Sequence, residues 1–550
     1  MPIPIAETGA ALMLADATTP PPTANFPAAA LKAEFVAIVG AANVRDDAAS
    51  LSLHSEDVFE AADETAMLIV APTSLEQLSK VVAAAHAAGV ALAPRGAGMS
   101  YTASYLPVTA TTVSLDMARM NRILAIRPDD MTVTVEAGCT WIALNDALRP
   151  HGLRTPFWGP MSGLYSTIGG GLSQGNAMFG AGHYGTSIES MIALTMVLAD
   201  GQVLRTGARG PDGDTPFYRY YGPDLAGLFC GDSGTLGIKA EVTMRLIRTP
   251  AHEDHASFSF KSGQDLLKAL AEIARAGIAC ETCGFDPGLT KVRMRRMSLL
   301  GDIKTLGAVI GKQGSLGKGL FAAAKIALGG RNFIEADEYP LHIVAEGRSK
   351  DGVAHDIATA RAIAKAFDGV EIDNTIAKVI RAQPFPAPNS MLGPDGESWA
   401  PVHGHASLST APAMFGDIQA LFAAMQPEFD AHGISTGYLF TSLATNAITI
   451  EPVFFWPHGY RPLHVALMEP GYLKGVPKLD PNPVATEVVV RARDAVKDIA
   501  TKYGAAHFQI GRAYPYRDSR DAASVALLDT IKALVDPDRQ FNPGGLGFPL

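Results

Sequence analysis

Nine of the 27 residues from Gly159 to Gly185 are glycine, and the stretch carries almost no charge. It reads Gly159-Pro-Met-Ser-Gly-Leu-Tyr-Ser-Thr-Ile-Gly-Gly-Gly-Leu-Ser-Gln-Gly-Asn-Ala-Met-Phe-Gly-Ala-Gly-His-Tyr-Gly185. Glycine lacks a β-carbon and tolerates positive φ, so such a run suits backbone pressed closely against a ligand. No three-residue period persists, which excludes a collagen-like strand. Leu164, Ile168, Leu172, Met178, Phe179 and Tyr184 seek burial, which excludes a flexible linker. A strand-like run, Ile192 to Leu198, follows and ends in the hairpin signal Asp200-Gly201. The stretch therefore reads as an ordered loop that holds a large cofactor.

A chain of 550 residues exceeds one ordinary core, so two domains are expected. Its apolar fraction of 47% and charged fraction of 18% describe a well-packed globular protein. A net charge of −10 argues against nucleic acid as the main partner. Four cysteines, Cys139, Cys230, Cys280 and Cys283, are too few for a disulfide scaffold. Cys280-Glu-Thr-Cys283 reads as ordinary buried thiols, since no second pair accompanies it. Residues 1–28 are rich in Ala, Thr and Pro and are expected to be poorly ordered. They lack a basic segment and a clear cleavage site, so no secretory signal is read and a cytoplasmic location is expected. No run of eighteen apolar residues marks a membrane span. The Gly-, Ala- and Leu-rich stretch 299–330, with Lys304, Lys312, Lys318 and Lys325, reads as buried helices rather than an interfacial one.

Ser74-Leu-Glu-Gln77 is a capping box that opens a helix running to Gly89. A short strand, Val90 to Pro94, runs into a second glycine turn, Arg95-Gly-Ala-Gly-Met-Ser-Tyr101. Strands are expected at 112–115, 123–126 and 132–136, and Thr140 caps a further helix. A third glycine cluster, Leu228-Phe-Cys-Gly-Asp-Ser-Gly-Thr-Leu-Gly-Ile238, leads into a strand, and Thr249-Pro250 marks a domain boundary. From about 251 to 500, strands alternate with helices, which predicts an antiparallel sheet with helices packed on it.

Taken together, Pro94-Arg-Gly-Ala-Gly-Met-Ser100, Leu115-Asp-Met-Ala-Arg-Met-Asn-Arg122, Thr132-Val-Thr-Val-Glu-Ala-Gly138, Thr167-Ile-Gly-Gly-Gly171, Gly234-Thr-Leu-Gly-Ile238, Trp399-Ala-Pro-Val402, Tyr516-Arg517 and Asp536-Pro…Asn542-Pro-Gly544 resemble the vanillyl-alcohol oxidase and p-cresol methylhydroxylase family of flavoproteins. The resemblance implies an α+β, two-domain FAD-binding fold with an antiparallel-sheet cap that shapes the substrate pocket. Residues 29–250 and 505–550 would form the FAD domain, and 251–504 the cap. It implies FAD contacts from Pro94, Arg95, Gly96, Ala97, Gly98, Met99 and Ser100, and from Pro160, Met161, Ser166, Thr167, Gly169, Gly170, Gly171, Gly175 and Asn176. Tyr184, Gly185, Gly234, Gly237, Ile238, Arg517 and Asn542 complete that set. Convergent backbone N–H groups from glycine turns make a nest for a pyrophosphate, which fits these loops. No standard Gly-x-Gly-x-x-Gly fingerprint with a downstream acid is present, so this is not a Rossmann reading.

The resemblance further implies catalytic roles for Tyr516, Arg517, Tyr184 and Thr186. Tyr516-Arg517 would stabilise a substrate phenolate while hydride leaves a benzylic carbon for flavin N5. Met99 stands where some relatives carry a flavin-linking histidine, and Gly396-Glu-Ser-Trp-Ala-Pro401 lacks another, so dissociable FAD is expected. Tyr101 and Tyr105 are candidates for a second phenolate-binding tyrosine, and Thr186 replaces an acid. The expected activity is oxidation of a para-substituted phenolic alcohol or alkylphenol. Oxygen, a cytochrome or a quinone would accept the electrons, in a homodimer with no nucleic-acid partner and no metal. One alternative is a D-2-hydroxyacid dehydrogenase, for which His403 and His405 would be metal ligands. A carbohydrate oxidase and a non-catalytic FAD-fold binding protein are two others.

Overall fold

The computed structural model describes residues 28–299 and 337–550. The expectations for 1–27 and for nearly all of the 299–330 stretch lie outside the described residues.

Residues 44–248 build two main sheets. The first is four-stranded and partly parallel: Leu68–Val70 and Leu92–Arg95 both run parallel to Val113–Asp116. All three strands are almost fully buried, as two-sided strands of parallel sheets are. Helices Ala28–Val39 and Leu75–Ala87 cover them with Leu31, Phe35, Leu78 and Val82. Ser74 caps the second helix by accepting from Gln77 N–H, while the Gln77 side chain accepts from Thr73 N–H, one residue earlier than a capping box requires. The second sheet is five-stranded and antiparallel, with Ile238–Arg245 between Thr132–Glu136 and Met191–Val197. The turn at Asp200-Gly201 closes the hairpin from Met191–Val197 to Val203–Arg205.

At His252–Phe260 the chain enters an eight-stranded antiparallel sheet, the cap. Helices Gly263–Ala276, Lys350–Ala366, Ala411–His432 and Pro483–Lys502 pack together on it. Phe415 meets Tyr438 and Phe440 edge-on at 5.1 and 5.2 Å, joining helix to sheet. No helix of the described residues is long and apolar enough to cross a membrane.

The chain then returns to the first unit. Helix Ala522–Val535 leads to Asp536, whose carboxylate accepts from Gln540 N–H, Phe541 N–H and Lys532 Nζ. This tight turn lays Phe541 beside Leu92 as a parallel bridge, so the C-terminal segment extends the first sheet. The Asp-Pro…Asn-Pro-Gly motif is therefore a docking device, held by a buried lysine that makes three hydrogen bonds.

A buried ion network ties the cap to the first unit. Arg381 donates to Glu253, Glu281 and Glu346 at 3.0, 2.6 and 2.6 Å, and Arg154 of the first unit also pairs with Glu346. The indole of Trp158 lies beneath both guanidinium groups, at 4.9 and 5.6 Å.

Candidate cofactor and substrate cleft

One cleft, with about 1820 Å³ of empty space including its mouth, runs from the three glycine turns to the inner face of the cap sheet. The first turn leaves strand Leu92–Arg95, so Pro94 to Ser100 all line it. The second contributes Pro160, Met161, Ser166, Thr167, Gly169, Gly170, Gly171 and Asn176, and the third Gly234, Gly237 and Ile238. The glycines are needed where chains meet. A β-carbon on Gly96 would lie 2.5 Å from Thr167 Oγ1, and one on Gly169 would lie 2.6 Å from Ala137 Cβ. Thr167 holds the second loop by accepting from Gly170 N–H at 3.2 Å.

The cleft wall carries buried polar atoms with no partner in the protein. These are Arg95 Nε, Ser166 Oγ, Gln174 Oε1 and Asn176 Oδ1. Buried polar groups are ordinarily satisfied, so these point to a polar ligand. Arg95 is buried and forms no ion pair among the described residues. A guanidinium and backbone N–H groups at a glycine cradle suit a pyrophosphate, so the residues present fit FAD.

Five residues expected to touch FAD lie off the cleft wall, and each has a structural task. Gly175 ends helix Ile168–Gln174 at φ 71°, and Gly185 turns the chain at φ 75°. Tyr184 is half-buried under the Arg245 guanidinium at 5.9 Å. Asn542 is buried behind the loops and donates to the carbonyls of both Ser104 and Ser233, which clamps the first and third turns together. Arg517 donates two parallel bonds to Asp529 at 2.7 and 2.9 Å and lies over Phe548. Neither Tyr516 nor Arg517, for which catalytic roles were expected, lines the cleft. The short 3₁₀ turn Arg517–Ser519 aims the guanidinium at the last helix, and Tyr516 sits under Arg520. Thr186 is likewise a cap rather than a cleft residue, accepting from Ile188 N–H and donating to Glu189.

The segment does reach the cleft eight residues earlier, through Phe508 and Gln509. Gln509 adopts the left-handed region at φ 51°, and its amide donates to Tyr101 Oη at 2.8 Å. Strain of this kind clusters at ligand sites. The tyrosine keeps its own proton to donate, and burial raises its pKa well above the ordinary value. Tyr105 also lines the cleft, with Arg95 over its ring at 5.5 Å.

The cap end is a mostly apolar chamber walled by Leu289, Met391, Trp399, Leu439 and Val453. Two charged side chains face it. Glu451 lies on strand Ala447–Trp456, where the two-residue period puts it on one face with Val453, opposite Leu439. Loss of water raises its pKa from 4.5 to about 7, with Arg293 acting in the opposite direction. Arg293 sits on helix Pro287–Leu299, packed over Phe285 at 4.1 Å. Asp286 fixes that helix by accepting from Leu289 N–H and Tyr438 N–H, and Gly437 lets it approach, since a β-carbon there would lie 2.7 Å from Leu289 N. Neither charge has a hydrogen-bonded or ion-pair partner among the described residues. Sequence reasoning missed both. A lone acid in the apolar run Ile448-Thr-Ile-Glu-Pro-Val was the available signal for Glu451; Arg293 lies in a basic stretch that gave none.

No histidine or cysteine lines the cleft among the described residues. The rings of His403 and His405 both stack with Phe508, at 3.9 and 4.7 Å, and burial lowers both pKa values. Their rings lie 6.1 Å apart, and neither belongs to a group of potential metal ligands among the described residues. One other group, His183, Cys280 and Glu346, brings potential metal ligands within 4.8 Å. Arg154 and Arg381 already occupy both Glu346 oxygens, and a cation would have to displace them. Cys280 and Cys283 are buried free thiols.

Residues 66–207 match the family model of an FAD binding domain. FAD is thus the cofactor of the glycine-loop cleft. Among curated proteins, the chain is 31% identical over 242 residues to D-lactate dehydrogenase (cytochrome) 1, mitochondrial, of Saccharomyces cerevisiae, covering 43% of this chain and 40% of that protein. It is 27% identical over 255 residues to glycolate oxidase subunit GlcD of Bacillus subtilis, covering 46% and 53%. The chain thus spans about half or less of these relatives. Solved structures share the fold over nearly the whole length. p-Cresol methylhydroxylase with substrate bound superposes with a TM-score of 0.70 at 18% identity, covering 95% of this chain and 97% of that one. 4-Ethylphenol oxidase from Gulosibacter chungangensis gives 0.70 at 17%, covering 96% and 99%. Alkyldihydroxyacetonephosphate synthase gives 0.66 at 19%, covering 96% and 87%. The architecture is the p-cresol methylhydroxylase type of FAD-binding fold.

Proposed function

We propose that this chain is an FAD-dependent oxidoreductase that removes hydride from a hydroxyl-bearing or benzylic carbon of a substrate with an aromatic or otherwise apolar body. The single observation behind this reading is the continuity of the cleft, from the glycine cradle to an apolar chamber under the cap. Bound FAD supplies the hydride acceptor. Arg95 and the backbone of the glycine turns hold its phosphates, and Asn176 and Ser166 satisfy polar groups along it. Trp399, Leu439 and Val453 exclude water and grip the substrate body. Tyr101, set by Gln509, donates a hydrogen bond to a substrate oxygen, a role first expected of Tyr516-Arg517. The cofactor is dissociable, since Met99 offers no linkage.

A para-substituted phenolic alcohol or alkylphenol suits this chamber. D-2-hydroxyacids are a second reading, favoured by the names of the D-lactate and glycolate relatives. Incubating the holoprotein with 4-hydroxybenzyl alcohol, mandelate enantiomers and D-lactate, with an artificial electron acceptor, separates them. Aromatic aldehyde or keto acid formed from the aryl substrates supports the apolar-body reading; turnover of D-lactate alone contradicts it. Oxygen consumption in the same assay distinguishes oxidase from dehydrogenase.

A further inference from the structure

The chamber holds a charge pattern that an apolar substrate alone would not need. Arg293 is a cation with no counter-ion within ion-pair distance among the described residues, on a wall otherwise built from Leu289, Leu439, Val453 and Trp399. Its helix is pinned at its start by Asp286 and by the close approach to Gly437, and the partly buried guanidinium packs over the Phe285 ring at 4.1 Å. Glu451 shares the chamber without a hydrogen-bond donor of its own. Ion pairs satisfy the buried arginines at the domain junction, Arg154 and Arg381, whereas Arg293, like Arg95 at the cofactor end, lines the cleft without one among the described residues. An unpartnered guanidinium beside an apolar surface suits a ligand with an anionic oxygen at one end and a hydrophobic body.

We propose that Arg293 anchors an anionic oxygen of the substrate, a carboxylate or a phenolate, and that Glu451 in the same chamber accepts the proton of the reacting hydroxyl. This rests on the proposed oxidoreductase reading for the second role only. In that step the substrate O–H bond breaks and its proton goes to the Glu451 carboxylate. The C–H bond breaks, its electron pair leaves as hydride to the oxidised flavin, and the C=O bond forms. Substrate is oxidised and flavin reduced. The groups that face Glu451 are Arg293 from helix Pro287–Leu299, Cys283 from strand Glu281–Phe285 two places away in the cap sheet, Tyr101 from the first glycine turn and Tyr514 from the C-terminal segment.

The test separates binding from turnover. Holoprotein is titrated with benzoate, with 4-cyanophenol above its ionisation pH, and with neutral benzamide, and the flavin absorption difference spectrum and the calorimetric heat are recorded. The wild type is expected to bind at least one anion more tightly than benzamide. Arg293→Met, which keeps the apolar stem, should weaken that anion by about tenfold or more and leave benzamide unchanged. Arg293→Lys should recover part of the loss. Benzoate affected alone identifies a carboxylate site, and 4-cyanophenol affected alone identifies a phenolate site. No anion binding in the wild type, or equal binding by Arg293→Met, overturns the anchor. For Glu451→Gln, anion binding should persist while flavin reduction by the substrate slows at least tenfold and loses its pH dependence; unchanged reduction overturns the proton-acceptor role. If anions bind through Arg293 but no alcohol reduces the flavin, the anchor stands and the oxidoreductase reading fails.

Discussion

Glu451 holds its proton to about pH 7 because the chamber wall strips water from its carboxyl group. A proton acceptor must be ionised, so substrate-driven flavin reduction should fall as pH drops through about 7. The same group costs stability. Below the ordinary value of 4.5 both folded and unfolded states are protonated and no cost exists; above it the unfolded state ionises first, and stability is lost until about pH 7. Glu451→Gln removes that penalty, which is on the order of 3 kcal/mol. Thermal melts should therefore show the variant more stable than wild type at pH 8 and equal near pH 4; an equal difference at both would refute the burial argument. Asn542 gives a second test at this scale. Asn542→Ala leaves the Ser104 and Ser233 carbonyls without their donor, a loss of about 1–3 kcal/mol each, and loosens the first glycine turn from the third. FAD retained through gel filtration should fall; full retention would mean that the clamp is not needed.

At the scale of elements, the ion network between Arg154 and Arg381 is one of the places where cap and FAD unit are joined. Arg381→Ala leaves three carboxylates with less or no compensation, and removing one partner of a buried pair typically costs about 3–5 kcal/mol. Urea unfolding should show that loss, and a midpoint unmoved by the substitution would contradict the reading. Helix Ile168–Gln174 shows a different conflict. Its three consecutive glycines each disfavour helix by about 1 kcal/mol, yet Gly169 must pass Ala137 at a distance no side chain permits. Such runs, together with caps at Ser74 and Thr140, were legible because their physics is local. The parallel pairing in the first sheet was not legible, since it depends on which distant strands meet. The placement of Tyr516-Arg517 was not legible for the same reason: a dipeptide shows its neighbours in sequence, but the pairing of Arg517 with Asp529 comes from a fold of the chain. Phe508 and Gln509 carry no signal of their own, and only the backbone turn at Gln509 brings them to the cleft.

For the molecule as a whole, the glycine loops disclosed a cofactor and the resemblance named it, whereas the proposed substrate contacts come from four separated segments: around Tyr101, Arg293, Glu451 and Gln509. Their convergence under the cap sheet is a property of the assembled fold. The central claim is that FAD held by the glycine cradle and a substrate held under the cap share one cleft and exchange hydride there. Anaerobic mixing of the holoprotein with aryl alcohols, watching the oxidised flavin band, tests it most directly. The account predicts that an aryl alcohol bleaches the band and that Glu451→Gln bleaches far more slowly while still binding FAD. A band that no aryl alcohol bleaches, in a protein that retains its FAD, would contradict it.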